Sequence, residues 1–105
     1  MKTITPKEAF EHMQADPRAV LIDVRETSEF ADEHAERAQN IPLSILPLRI
    51  QEISAASEIF FICQSGGRSG QAAAFAEKAG LSQVKNVSGG TLGWIHDGLP
   101  TTARI

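Results

Sequence analysis

Two short apolar runs constrain this chain more than any other feature: Val20-Leu21-Ile22 leading into Asp23-Val24, and Ile59-Phe60-Phe61-Ile62. Neither alternates with polar residues, so neither reads as a strand with one wet face. Runs of this kind are strands buried on both faces, which is the pattern of a parallel sheet packed between helices.

The segments between them supply the helices. Thr5-Pro6-Lys7-Glu8 joins an N-cap threonine, a proline at the first helical position and a glutamate placed to close a capping box, so a helix is expected to about Ala15. Thr27 or Ser28 is expected to cap a short helix through Phe30 toward Glu33, followed by a second short strand around residues 39–41, before Pro42. Residues 44–53 are expected to form another helix, with Pro47 in its first turn. Beyond Ile62 a helix presents Ala72, Ala73, Phe75, Ala76 and Ala79, with Gly80 as its terminator. Val84-Lys85-Asn86-Val87 is a last strand, and Ser88-Gly89-Gly90 turns it into a short helix carrying Leu92, Trp94 and Ile95. Strands alternating with helices along the whole length imply an α/β domain, with a mostly parallel central sheet of about five strands and helices on both faces.

Length and charge bound the rest. A chain of 105 residues is expected to be one domain, residues 1–105, burying about two-thirds of its unfolded surface. Its net charge of −3, without any run of lysine and arginine interleaved with aromatics, indicates no nucleic-acid surface. No stretch reaches the ~20 apolar residues of a membrane span, and the charged start Met1-Lys2-Thr3-Ile4-Thr5-Pro6-Lys7-Glu8 is unlike a signal peptide, so the expected location is the cytoplasm without membrane contact. The chain ends at Ile105 either naturally or as a cut from a longer protein.

Its single cysteine stands where such a sheet binds ligands, beyond the carboxyl end of a core strand. Cys63-Gln64-Ser65-Gly66-Gly67-Arg68-Ser69 then turns into the alanine-rich helix. Glycines at Gly66 and Gly67 allow backbone conformations that aim the N–H groups of Gln64 to Ser69 at one sulfur atom. The helix adds its positive end and Arg68 a full positive charge, so Cys63 is expected to be acidic, below the ~8.5 of a free thiol. A cysteine used for packing has no need of two glycines, two hydroxyls and an arginine in the six residues after it.

With these residues in place, the chain resembles a single-domain rhodanese, a sulfurtransferase module with a three-layer α/β fold. The resemblance runs through Leu21-Ile22-Asp23-Val24-Arg25-Glu26, Glu29-Phe30, His34 and Ala38-Gln39-Asn40-Ile41-Pro42-Leu43. It continues with the loop from Cys63 to Ser69, Ala72-Ala73, Asn86-Val87-Ser88-Gly89-Gly90, Trp94 and Gly98-Leu99-Pro100. It implies a thiosulfate sulfurtransferase-like double displacement: Cys63 takes a sulfane sulfur from thiosulfate or another persulfide, then passes it to cyanide, a thiol or an acceptor protein. No metal or organic cofactor is required. Arg68 would hold a small anionic donor, the loop amides would stabilise the persulfide, and Ser65 and Ser69 would add hydrogen bonds. The chain departs from the family where Glu33-His34-Ala35-Glu36-Arg37-Ala38 replaces the frequent Gly-His-Ile-Pro-Gly-Ala, a change expected to alter surface shape or partner choice.

Two other functions compete. A related branch of this fold contains cysteine phosphatases, which place five residues between cysteine and arginine; here four separate Cys63 from Arg68, a ring too small for a phosphoryl group. The second is a protein-to-protein sulfur relay or binding module with little turnover of free thiosulfate. Asp23 and Arg25, at the end of a core strand, either help order the Cys63 loop or form an ordinary strand-end ion pair. His12, His34 and His96 lack ligand spacing, so no metal site is expected. Trp94 is read as a packing residue, and Gly89-Gly90 as a turn.

Overall fold

The computed structural model describes residues 2–103. Its elements in chain order are β1 (Thr3–Ile4), α1 (Pro6–Ala15), β2 (Val20–Asp23), α2 (Thr27–Asp32), β3 (Glu33–Ala35), β4 (Gln39–Asn40), α3 (Leu46–Arg49), β5 (Ile59–Ile62), α4 (Gly67–Lys78), β6 (Val84–Val87), α5 (Gly90–His96) and β7 (Thr101–Ala103). Five strands form one parallel sheet in the order β1-β6-β5-β2-β4, and β3 pairs antiparallel with β7 in a separate ribbon.

The two apolar runs lie side by side at the centre, with Val20 opposite Ile59 and Asp23 opposite Ile62. Because successive side chains point to opposite faces, each run feeds two cores at once. Ile22, Ile59 and Phe61 pack with Leu46, Ile53, Ala72, Ala73 and Ala76 on one face. Leu21, Phe60 and Ile62 pack with Ala9, Met13 and Trp94 on the other. Every residue of β5 is buried, as a strand covered on both sides must be.

The local signals act largely as read. The Thr5 hydroxyl accepts the Glu8 N–H at 3.1 Å while Glu8 Oε1 accepts the Thr5 N–H at 3.1 Å, closing the capping box of α1. At the end of α4, the Gly80 N–H reaches Glu77 O and the Leu81 N–H reaches Ala76 O, with Gly80 at φ +99. Helix α2 starts one residue earlier than expected: Glu26 is the N-cap, and its N–H donates to Glu29 Oε1 at 3.0 Å.

Residues 44–53 do not form one helix. Leu43–Ile45 and Ile50–Glu52 are 3-10 turns flanking the four-residue α3, with Pro47 inside its first turn. Pro47 has no N–H to continue the ladder, and the bonds beyond it, such as Ile53 N–H to Ile50 O, span three residues. Three strands were not foreseen: β1, β3 and β7 are two or three residues long and owe their form to a neighbour.

Among the described residues, no helix is long and apolar enough to cross a membrane.

Candidate active site

Cys63 follows directly on β5, at the carboxyl edge of the sheet and beside the end of β2, where the Val24 N–H donates to Ile62 O at 3.0 Å. The chain passes from β4 to β5 across β2, so the strand order reverses at this edge, the position at which parallel sheets gather ligands. Gly66 caps α4 with φ +123, a conformation closed to side-chain-bearing residues, and this turn brings its N–H to 3.1 Å from Cys63 Sγ. The Ser69 hydroxyl, one turn into α4, lies 3.2 Å from the same sulfur.

Burial pushes the Cys63 thiol up, and hydrogen bonds push it down. The second influence prevails: the Ser69 hydroxyl and the N–H groups of Ser69, Gly66 and Ser65 hold the thiol below its ordinary value. Ser65 thus contributes through its backbone. Cys63 is only 1% exposed, so the sulfur lies at the floor of the loop.

A second wall keeps the loop in place, and the sequence did not disclose it. Thr91 donates both its N–H (2.8 Å) and its hydroxyl (3.0 Å) to Cys63 O, and the Leu92 N–H reaches Gln64 O at 3.2 Å. Gly90, at φ +58, makes room for this approach: a Cβ there would stand 2.4 Å from Gln64 O. The pair read as a turn is therefore also a close backbone contact with the thiol loop. Asn86, buried on β6, donates from Nδ2 to Gly66 O at 3.1 Å and accepts from the Ser69 hydroxyl at 2.6 Å through Oδ1.

Arg68 makes a bidentate pair with Glu29 of α2, at 2.7 and 3.0 Å. Its hydrogen bonds hold the Glu29 carboxyl down to about 2 despite the opposing effect of burial. The sequence assigned Arg68 to an anionic donor and gave Glu29 no part; a glutamate 39 residues from its arginine carries no local signal. Asp23 and Arg25 bind each other: Arg25 Nε and Nη2 reach the buried Asp23 carboxylate at 2.8–3.1 Å, and Nη2 also donates to Glu33 O at 2.8 Å. Their side chains tie the end of β2 to the end of α2, which carries Glu29.

A cavity of about 240 Å³ opens beside the loop, lined by Gln64 and Thr91, by Arg25, Glu29 and Glu33, and by Leu92 and Ile95 of α5. Gln64 and Ser65 are exposed, while Gly67 opens α4. The segment that departs from the family pattern adjoins this cavity through Glu33. His34 stacks on Phe30 at 3.7 Å and His12 pairs with Glu58, and no cluster among the described residues could hold a metal ion. Trp94 is fully buried, donates from Nε1 to Pro100 O at 2.8 Å and meets Phe10 edge-on, so it packs as read.

Comparison with known proteins agrees with this geometry. Residues 5–97 match the rhodanese-like domain. A sulfurtransferase of Allochromatium vinosum is 34% identical over 84 residues, which are 80% of this chain and 78% of that protein. A putative sulfur carrier protein of Bacillus subtilis is 36% identical over 83% of this chain, which spans 48% of that protein. The crystal structure of a rhodanese-related protein from Thermoplasma volcanium superposes with a TM-score of 0.86 at 28% identity, covering 97% of this chain and 98% of that one.

Proposed function

Since the chain belongs to the rhodanese-like domain family, we propose that it is a sulfurtransferase that carries sulfane sulfur as a persulfide on Cys63. The observation that supports this best is the set of donors around one buried sulfur, with the Gly66 N–H at 3.1 Å and the Ser69 hydroxyl at 3.2 Å. In the first half-reaction the Cys63 thiolate attacks the outer sulfur of thiosulfate or another persulfide. A new S–S bond forms, the donor's S–S bond breaks, and sulfite or a thiolate departs with the bonding pair. In the second, cyanide or a thiolate attacks the outer sulfur of the Cys63 persulfide, and the thiolate returns. Charge is conserved in each step, and no cofactor takes part.

The residues divide the work. The N–H groups of Ser65, Gly66 and Ser69 hold the negative sulfur, with Gly67 at the positive start of the twelve-residue α4. Gln64 borders the cavity through which a donor enters. Arg68 binds Glu29 through Nη1 and Nη2, and its remaining N–H groups serve an anionic donor. The four residues between Cys63 and Arg68 make a ring that suits a terminal sulfur and is too small for a phosphoryl group.

A second reading, a relay that takes sulfur from one protein and gives it to another, draws support from the relative named as a putative sulfur carrier. One experiment addresses both. Intact mass is measured on the reduced protein and on Cys63→Ser after brief exposure to thiosulfate, then after cyanide. The expected result is a gain of one sulfur atom, absent in the variant and erased by cyanide with release of thiocyanate. Sulfur that loads from thiosulfate but leaves only on mixing with an acceptor protein favours the relay. If neither thiosulfate nor a small persulfide loads the reduced thiol, the reading fails.

A further inference from the structure

Ser69 has one hydroxyl proton and three acceptors within reach. Its Oγ lies 2.6 Å from Asn86 Oδ1, 3.2 Å from Cys63 Sγ and 3.2 Å from Gly66 O. The loop fixes which end of the Asn86 amide faces the hydroxyl: Gly66 O accepts from Nδ2 at 3.1 Å and has nothing to gain from an oxygen, so Oδ1 points at Ser69. Ser69 is 0% and Asn86 9% exposed, which leaves little access for water to supply a missing proton.

We propose that Asn86 is a positioning residue: it holds the Ser69 proton whenever the Cys63 sulfur is uncharged, which penalises the thiolate and favours the persulfide. With Cys63 as thiol, the S–H donates to Ser69 Oγ and the Ser69 O–H donates to Asn86 Oδ1, so every group is satisfied. When the thiol gives its proton to solvent, Ser69 has to turn its own hydrogen toward the sulfur. Oγ and Oδ1 then face each other at 2.6 Å with no hydrogen between them. Flipping the amide only moves the conflict to Gly66 O. Leaving the hydrogen on Asn86 instead deprives the thiolate of a donor. Either way the cost falls on the thiolate.

In a persulfide the charge sits on the outer sulfur, one S–S bond of about 2.05 Å beyond Sγ. The inner sulfur is neutral again, and the Ser69 proton returns to Asn86. Asn86 therefore tilts the exchange toward the loaded cysteine, a consequence that rests on the sulfur-transfer reading above; the effect on the thiolate does not.

The charged groups around the thiol are Arg68 of α4 with Glu29 of α2, and Asp23 with Arg25 at the end of β2. On β6, Lys85 pairs with Glu58, and α5 meets Cys63 through Thr91. No hydrogen bond joins any of these charges to Ser69 or Asn86 among the described residues, so the same charges stand in every variant compared.

The test is a double-mutant cycle on Asn86→Ala and Ser69→Ala, reading the rate of iodoacetamide alkylation of the single cysteine against pH. Freeing the Ser69 hydroxyl for the sulfur is worth one hydrogen bond to a charged group, so Asn86→Ala is expected to alkylate about tenfold faster below the midpoint and to move that midpoint to lower pH. In the Ser69→Ala background the same substitution is expected to change nothing. A midpoint that moves upward, or moves equally with and without Ser69, overturns the proposal and leaves Asn86 as an anchor for Gly66 alone. Asn86→Leu, of similar volume, replaces the alanine variant if circular dichroism shows the latter unfolded. The persulfide fraction at a fixed ratio of thiosulfate to sulfite is expected to fall in Asn86→Ala, and an unchanged fraction refutes the tilt. A wild type that never loads sulfur counts against the sulfur-transfer reading, while the alkylation cycle still decides the role of Asn86.

Discussion

Replacing Gly90 by alanine isolates the contact that seats the thiol loop. A Cβ at Gly90 would stand 2.4 Å from Gln64 O and 2.6 Å from Cys63 O, and both are backbone atoms that no rotamer change can move aside. Ordinary contact begins at 3.4 Å, so the loop and the start of α5 must part by about 1 Å. That displacement acts on the carbonyls that accept from Thr91 N–H, Thr91 Oγ1 and Leu92 N–H at 2.8, 3.0 and 3.2 Å. Left-handed strain costs about 1–2 kcal/mol for alanine at φ +58. Weakening of the three bonds brings the expected destabilisation to about 2–4 kcal/mol. A shift of this size at a nucleophile lowers its rate on the order of 10²-fold.

Gly89→Ala is the matched control. Its φ of +76 carries similar strain, but the nearest atom to its Cβ is Gly93 Cα at 3.6 Å, an ordinary contact. It is expected to lose about 1 kcal/mol or slightly more and to keep its rate of Cys63 alkylation and sulfur loading. Urea unfolding gives the first quantity and mass spectrometry of the modified thiol the second. If the two variants lose equal stability and equal reactivity, Gly90 is only a turn residue and the seating argument is wrong.

Three further outcomes are expected. Glu29→Gln is expected to cost about 1 kcal/mol at neutral pH, a figure reduced from the full shift because the pair is about one-third exposed. The Glu29 carboxyl is depressed from 4.5 to about 2 in the folded chain, so this contribution is complete above pH 4.5 and disappears as pH falls toward 2; a gap between wild type and variant that stays constant in acid would falsify the assignment. Arg37 holds φ +72 and donates to Met13 O at 2.9 Å. Arg37→Gly, which loses the bond but relieves the strain, should therefore be more stable than Arg37→Ala by about 1 kcal/mol in urea unfolding, and equality would show that the strain is absorbed elsewhere. Trp94→Phe removes one of the two donors to the Pro100 carbonyl, the Glu36 N–H at 3.0 Å remaining, and thins the packing against Phe10, so a loss of at least about 1 kcal/mol is expected in urea unfolding, and no loss would show that the buried indole is not needed.

What was legible in the sequence was local. The buried strands announce themselves by composition, the thiol loop by its glycines, and the start of α1 by a capping box that closes within four residues. Partners distant along the chain were silent: Glu29 reaches Arg68 across 39 positions, Thr91 reaches Cys63 across 28, and Asn86 reaches Gly66 across 20. A strand of two residues such as β1, paired through Thr3 to Asn86 and Ile4 to Val87, is too short to carry a periodicity and exists because β6 offers it an edge. The helix expected over residues 44–53 shows the opposite error, since its apolar pattern is real but the backbone tightens into 3-10 turns on both sides of the four-residue α3. Arg37 lies between: the left-handed turn it occupies falls where the resemblance has a glycine, but the departure was read as a change of surface shape or partner choice, and the backbone strain there is visible only in the fold.

Arg68 changes the electrostatic picture most. Read from the loop alone, it supplies the positive charge that makes the thiol acidic and grips the donor. In the fold both guanidinium groups nearest the thiol are matched by carboxylates, Arg68 by Glu29 and Arg25 by Asp23. The hydrogen bonds that lower the Cys63 thiol come from backbone N–H groups and one hydroxyl, with the Gly66 N–H at 3.1 Å and the Ser69 hydroxyl at 3.2 Å from the sulfur. Short dipoles of this kind lie far inside the ~8–10 Å screening distance of ordinary salt, whereas the attraction of a free cation for a free anion does not. The alkylation midpoint of Cys63 is therefore expected to stay fixed between low and high salt. Under the proposed function, a dianion such as thiosulfate approaches the remaining N–H groups of Arg68 against the repulsion of the Glu29 carboxylate held on Nη1 and Nη2. Glu29→Gln removes that negative charge, so it is expected to lower the KM for thiosulfate and to change less the KM for a small persulfide, which carries one charge. A thiosulfate KM that rises in Glu29→Gln would mean that Arg68 serves the donor only when Glu29 holds it in position, and the ion pair would then belong to the binding site itself.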